Sequence, residues 1–196
     1  MSLEEKLLVI APEQITQKLF EEVLEETNQD IETDILVSAP EDYGRDNIIN
    51  RMKQKLESGR EIIITRGTTA VEVRNNLNAP IIEIDVTELE LIKALLPYKN
   101  RYIPVAVVEC ERFISVAKRV AQYLNIWLKE YEVKTIDEFS QQFQKVHDDG
   151  IQHAVGGAWG LYHTELLRDL GIYYTNVQTT KESVRKALEN ARLLYE

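Results

Sequence analysis

The segment EIIITRGTTAVEVRNNLNAPIIEID, from Glu61 to Asp85, decides the fold class that we predict for this chain. A β-branched run ends at Arg66-Gly67, a polar stretch of helical period follows, and a second β-branched run begins after Pro80. A strand, a helix and a strand within so short a segment are typical of a βαβ unit, in which the two strands are parallel.

The same alternation runs along the whole chain. Short β-branched runs are separated by longer stretches whose apolar residues recur every three or four positions, which is the period of a helix. The predicted strands are Leu7–Ala11, Asp34–Val37, Ile62–Thr65, Ile81–Ile84, Pro104–Val108, Ile126–Leu128, His153–Val155 and Ile172–Thr175. The predicted fold class is therefore α/β, with mostly parallel sheets.

Composition and charge exclude several classes of protein. Hydrophobic residues make up 44% of the chain and charged residues 29%, which is ordinary for a soluble globular protein. The net charge of −10 argues against direct contact with nucleic acid or an anionic membrane, because both favour basic surfaces. No apolar run is long enough to span a membrane, the N-terminus does not resemble a signal peptide, and the single cysteine suits a reducing compartment. We expect a cytoplasmic protein.

A second stretch of sequence repeats the order of predicted elements found in the first. IQHAVGGAWGLYHTELLRDLGIYYTN, from Ile151 to Asn176, again has a strand, a tight glycine turn, a helix and another strand. Each copy is followed by a possible capping box, Thr87-x-x-Glu90 and Thr179-x-x-Glu182. The repeat predicts two similar three-layer α/β/α lobes with a cleft between them. We assign the first lobe to residues 1–86 plus roughly 180–196, and the second to residues 87–179.

The turn after the third predicted strand is a candidate ligand site, because ligands of open α/β sheets bind at the carboxyl ends of the strands. There the guanidinium of Arg66 is suited to a bidentate carboxylate contact, and Gly67 allows close approach of the backbone. Thr68 and Thr69 add hydroxyls and the amides of a helix N-terminus, which favour an anion. The alternative is structural: Gly67 only permits the turn, Thr69 caps the helix, and Arg66 is solvated.

In the second lobe, the corresponding turn is a candidate for the opposite wall of the cleft. Gly156, Gly157 and Ala158 offer bare backbone, and Trp159 offers a flat aromatic face that would meet the ligand as the lobes close. The alternative is that Trp159 and Tyr162 pack on neighbouring helices, as most aromatic side chains do.

Residues with catalytic chemistry are few. Cys110 follows a strand, where a nucleophile would be well placed, but we favour a buried small hydrophobe. A two-thiol racemase mechanism is excluded, because the counterpart of Cys110 in the first half aligns near Pro12. The histidines show no metal-binding spacing with one another or with Cys110, and we predict neither a metal nor a cofactor.

Two acids flank the predicted cleft. We expect at most one of Glu109 and Glu111 to face a ligand. We favour the interpretation of a helix-start acid and a solvated side chain.

Two blocks of the sequence are similar to a known family. ITRGTTAVEVRNNLNAPIIEIDVTELELIKAL (residues 64–95) and AVGGAWGLYHTELLRDLGIYYTNVQTTKESVRKALENA (residues 154–191) resemble the N-terminal sensory domain of propionate-catabolism activators. These are transcriptional regulators of the sigma-54-dependent class, and the resemblance extends from Leu7 to Leu194. Thr68 stands where a second glycine is frequent in the family.

The resemblance implies a chelatase-like fold of two α/β lobes that senses an effector, which is 2-methylcitrate in propionate regulators. Such regulators continue into an ATPase and a helix-turn-helix domain. This sequence has no G-x-x-x-x-G-K-[ST] loop, so we expect it to be the sensory piece alone.

We predict a non-enzymatic sensor that binds a small carboxylate metabolite and controls a downstream ATPase of the full-length regulator. A metabolic enzyme of chelatase or racemase shape is the first alternative, with Cys110 and His163 as its support. A pure interaction domain, whose acidic surface docks a partner, is the second. A homodimer is left open.

Overall fold

The structure, a computed structural model, describes residues 7–11, 14–26, 34–37, 45–59 and 61–194. The chain divides into two compact units. Unit 1 comprises Met1–Asp85 and Thr179–Glu196, and unit 2 comprises Val86–Gln178. Each unit is described by itself.

Strands and helices alternate throughout the described residues. The strands are β1 (Leu7–Ala11), β2 (Asp34–Val37), β3 (Ile62–Thr65), β4 (Ile81–Glu83), β5 (Val105–Glu109), β6 (Leu128–Glu132), β7 (His153–Gly156) and β8 (Tyr173–Asn176). The helices are α1 (Gln14–Glu26), α2 (Arg45–Glu57), α3 (Gly67–Asn76), α4 (Glu88–Leu95), α5 (Glu111–Leu124), α6 (Phe139–Asp148), α7 (Thr164–Asp169) and α8 (Lys181–Leu193). Short 3-10 turns cover residues 96–98, 136–138 and 158–163.

Unit 1 is a four-stranded sheet in the order β2-β1-β3-β4, with every neighbouring pair parallel. Ile62 and Ile64 of β3 belong to one buried cluster with Phe20 of α1 and Val184 of α8. Ile63 alternates to the opposite face and is buried as well, so both faces of the sheet are covered. This is the three-layer arrangement expected of a parallel sheet.

Unit 2 repeats the topology of unit 1. Its sheet has the order β6-β5-β7-β8, again with only parallel pairs. All five residues of the inner strand β5 are buried, and α5 and α6 both contact it. The predicted fold class, α/β with two similar parallel-sheet lobes, is confirmed. No helix in the described part of the chain has the length and apolar character needed to cross a membrane.

The predicted bounds of one strand differ from those in the structure. We predicted Ile126–Leu128, whereas β6 runs from Leu128 to Glu132. β6 lies at the edge of its sheet and buries only Tyr131, so its sequence LKEYE is mostly polar and lacks the β-branched signature of an inner strand.

The first predicted capping box is confirmed and the second is wrong. At α4, the Thr87 hydroxyl accepts from the Glu90 amide, and the Glu90 carboxylate accepts from the Thr87 amide. At α8 the cap lies one residue later than predicted, because Thr180 accepts from the Ser183 amide. The hydroxyl of Thr179 is instead engaged by Arg66.

Candidate ligand site

In unit 1, the predicted turn joins β3 to α3 at the carboxyl edge of the sheet. Arg66 has an extended backbone, and Gly67 has a φ of 58°, a left-handed conformation that strains any residue with a side chain. Thr68 and Thr69 follow in the first turn of α3, and both are buried. The local sequence therefore forms the sharp strand-to-helix corner that was predicted.

Arg66 does not extend into solvent. The residue is only 9% exposed, and its Nη1 donates a hydrogen bond to Oγ1 of Thr179 at 2.8 Å. The solvated alternative for Arg66 is therefore wrong. A guanidinium in such a place is a strong donor for a carboxylate, since charge-assisted hydrogen bonds are about twice as strong as neutral ones.

Two buried hydroxyls in unit 1 have no hydrogen-bond partner among the described residues. They are those of Thr16 in α1 and Thr65 at the end of β3, both 0% exposed. A buried polar group left unpaired costs about 1–3 kcal/mol, so each such group calls for an explanation. Thr16 was missed by the sequence analysis. The available signal was a threonine in the otherwise apolar helical stripe that continues with Phe20, Val23 and Leu24.

In unit 2, side chains of the same unit closely surround the glycine turn. A Cβ on Gly156 would lie 2.5 Å from the carbonyl oxygen of Val108, and one on Gly157 would lie 2.6 Å from Oε1 of Glu109. The Oη of Tyr174 donates to the carbonyl of Gly157 at 2.6 Å. The packing of unit 2 therefore requires a glycine at position 156, and Gly157 leaves room for the carboxylate of Glu109.

Glu109 and Trp159 are both buried. The carboxylate of Glu109 accepts from the Cys110 amide at 2.7 Å, at the start of α5, whereas Glu111, in the first turn of that helix, is exposed. The position of Glu109 above an inner strand removes it from water, and the helix-start amide stabilises its charge. Trp159 is 3% exposed, and its ring lies 5.4 Å from that of Tyr162. Ala158 is buried beside it.

Cys110 and His163, the two residues that supported an enzymatic role, are both buried. Cys110 is buried, in agreement with the favoured interpretation. Nδ1 of His163 lies 3.0 Å from the carbonyl oxygen of Trp159, and the imidazole lies 5.4 Å from the ring of Phe143. Burial lowers the pKa of His163, and the hydrogen bond to Trp159 opposes that shift in part. Within the described residues, no group of three or more His, Cys, Asp or Glu side chains is arranged to hold a metal ion.

A family model described as "Propionate catabolism activator" matches residues 39–196. The chain belongs to the propionate catabolism activator family. This membership makes it a regulatory sensory domain, and it supports a non-enzymatic role. No curated protein matches the chain.

Solved structures show the same fold. An NtrC family transcriptional regulator from Clostridium acetobutylicum is 22% identical, with a TM-score of 0.73, over 96% of this chain and 95% of that one. A conserved domain protein from Vibrio cholerae O1 biovar eltor is 11% identical, with a TM-score of 0.56, over 97% and 84% of the two chains. An allantoin racemase from Klebsiella pneumoniae, 14% identical over 97% of this chain and 87% of that one, has a TM-score of only 0.38 and does not bear on function.

Proposed function

We propose that this domain senses a small anionic metabolite of the carboxylate class in the cytoplasm and controls a downstream ATPase and DNA-binding module. The proposed contact residues are those of the two turns, Arg66–Thr69 and Gly156–Trp159. The cleft between the two lobes, predicted from the sequence, remains part of this proposal.

The observation that carries the proposal is the buried guanidinium of Arg66 at the carboxyl edge of a parallel sheet in a regulatory domain. Arg66 directly follows β3, an inner strand, and precedes the N-terminus of α3. Parallel α/β sheets bind ligands at this edge, and a fixed guanidinium fork there matches the two oxygens of a carboxylate. The hydroxyl of Thr179 holds the fork in one orientation, which reduces the entropy lost on binding.

Sensing requires that the ligand bind one conformation more tightly than another. Each tenfold difference in affinity between the two conformations shifts their equilibrium by about 1.4 kcal/mol. A carboxylate that pairs with Arg66 in only one conformation supplies such a difference, and the downstream module then responds to the shift.

The proposal is tested by thermal unfolding with succinate, malate, citrate and 2-methylcitrate. A ligand at one hundred times its Kd stabilises the fold by about 2.7 kcal/mol, which corresponds to a rise in Tm of about 5–10 °C for a chain of this size. We expect at least one of the four to produce such a rise, and Arg66→Ala to abolish it.

Arg74→Ala is the matched control. Arg74 lies in the last turn of α3, is paired with Glu83 at 2.7 Å and is largely exposed, so its removal should leave the ligand-induced rise intact. The absence of a rise with all four compounds, or an undiminished rise in Arg66→Ala, would overturn the proposed function.

A further inference from the structure

The unpaired hydroxyl of Thr16 lies on the buried face of α1. Thr16 precedes Phe20 by one helical turn and Val23 by two, and these three side chains share one side of the helix. Phe20 and Val23 belong to the buried cluster between α1, α8 and the sheet. Thr16 therefore faces the same layer, about 6 Å nearer the N-terminus of α1 than Phe20 is.

Arg66 reaches the same end of the same layer. Side chains alternate along a strand, so Arg66 points to the face of the sheet that holds Ile62 and Ile64, the face covered by α1 and α8. It lies about 6–7 Å beyond Ile64 toward the carboxyl edge. Its hydrogen bond to Thr179, just before α8, confirms this direction.

The helices α1 and α8 are parallel and staggered. Lys181 pairs with both Glu22 and Glu26, and Arg185 pairs with Glu26, so the two helices run in the same direction. Lys181 opens α8, whereas Glu22 lies eight residues into α1. The first two turns of α1 therefore project about 12 Å past the start of α8, toward the carboxyl edge.

We infer that the carboxyl edge of this layer, between Thr16 of α1 and Arg66 at the end of β3, is the subsite that holds the ligand's carboxylate. This inference rests on the proposed function and names the place where the anion binds. The Arg66 fork binds the carboxylate, and the Thr16 hydroxyl donates the hydrogen bond that it does not make within the protein.

The subsite differs from the one that the sequence predicted. The turn at Gly67–Thr69 places its amides at the start of α3, whereas the side chain of Arg66 is directed to Thr179, in the segment before α8. Thr16 and Thr179 thus join Arg66 as residues that position the ligand. Neither was among the residues predicted from the sequence.

Thr65 supplies a matched control for Thr16. Both hydroxyls are fully buried and unpaired within the described residues, but Thr65 is adjacent to Ile64 and points to the opposite face of the sheet. Replacement of either threonine by valine removes the hydroxyl and preserves the shape. In the absence of ligand, neither variant should lose stability, because no hydrogen bond is broken.

The experiment measures Kd by calorimetry for whichever of succinate, malate, citrate and 2-methylcitrate stabilises the unmodified chain. We expect Thr16→Val to weaken binding roughly tenfold or more, the loss typical of a hydrogen bond to a charged group. Thr65→Val should bind as the unmodified chain does. If Thr16→Val does not fold, Thr16→Ser and Thr16→Ala form a second pair, and only the serine variant should retain affinity.

The outcomes separate this inference from the proposed function. Unchanged affinity in Thr16→Val, or equal losses in Thr16→Val and Thr65→Val, overturns the subsite and leaves the proposed function standing. Indistinguishable affinities of the Thr16→Ser and Thr16→Ala variants overturn it as well. No binding of any of the four compounds to the unmodified chain overturns both.

Discussion

At the scale of single residues, the surroundings of His163 set a pH dependence of stability. The imidazole packs between Phe139 and Phe143, with ring centroids 5.8 and 5.4 Å away, and burial lowers its pKa below the ordinary value of 6.5. The folded state therefore resists protonation of His163, and the unfolded state does not. The contribution of His163 is fully present above pH 6.5 and is lost as the pH falls from there through the lowered pKa.

We predict that His163→Gln flattens this part of the pH profile. The urea midpoint of the unmodified chain should fall between pH 7.5 and pH 5.5, and the fall should be smaller in the variant. His147→Gln, at an exposed histidine of α6, is the control and should keep the full slope. Equal slopes for the unmodified chain and His163→Gln would contradict the prediction.

Individual side chains were the least predictable part of the candidate site. The corner at Arg66-Gly67 was predicted, because the end of a β-branched run and a glycine are local signals. The burial of Glu109 and the orientation of Arg66 toward Thr179 depend on residues distant in sequence. No pattern of period two or 3.6 reports which neighbour covers a given side chain.

At the scale of helices and strands, the two proposed capping boxes provide a paired test. Glu90 is buried and completes the box at the start of α4, whereas the side chain of Glu182 is 81% exposed and completes none. We expect Glu90→Ala to lower the free energy of unfolding by about 1 kcal/mol or more. Glu182→Ala should change it by less than about 0.5 kcal/mol, as is usual for exposed sites. Urea unfolding followed by far-UV circular dichroism measures both, and equal losses would contradict the assignment of caps.

The capping box predicted at the start of α8 was wrong for a local reason. The sequence TTKES offers two adjacent hydroxyls, Thr179 and Thr180, and either can precede a helix. The choice between them depends on Arg66, which engages Thr179 from a position 113 residues earlier in the chain. Element boundaries next to such pairs are set by tertiary contacts. The predicted bounds of the edge strand β6 were also wrong. A strand with a single neighbouring strand can be mostly polar, so its sequence carries a weak apolar signal.

At the scale of the whole molecule, the strand order is the same in both units, and the repeat was visible in the sequence. The spacing of strand, glycine turn and helix predicted two parallel sheets, because parallel strands require helical crossovers. The permutation of the strands, β2-β1-β3-β4 and β6-β5-β7-β8, was not predicted, since local patterns do not reveal which strands are neighbours.

Each unit has its own core, and we predict that the two unfold independently. Both tryptophans, Trp127 and Trp159, lie in unit 2, so their fluorescence reports on that unit. Ile64→Ala removes buried volume from unit 1 at a cost of about 2–5 kcal/mol. It should lower the urea midpoint of part of the circular dichroism signal and leave the fluorescence midpoint unchanged.

Val107→Ala is the counterpart in unit 2, where Val107 is buried in β5. It should lower the fluorescence midpoint. A fluorescence midpoint that also falls in Ile64→Ala would show that the chain unfolds as one cooperative body.

The helix α8 also constrains the order in which the nascent chain can fold. It contributes Val184, Ala187, Leu188 and Ala191 to the core of unit 1, although residues 86–178 separate it from the rest of that unit. A ribosome therefore releases unit 2 as a continuous piece before unit 1 has all of its hydrophobic side chains. The earlier-synthesised strands of unit 1 must wait for the last helix to emerge, with α1 alone on one face of their sheet.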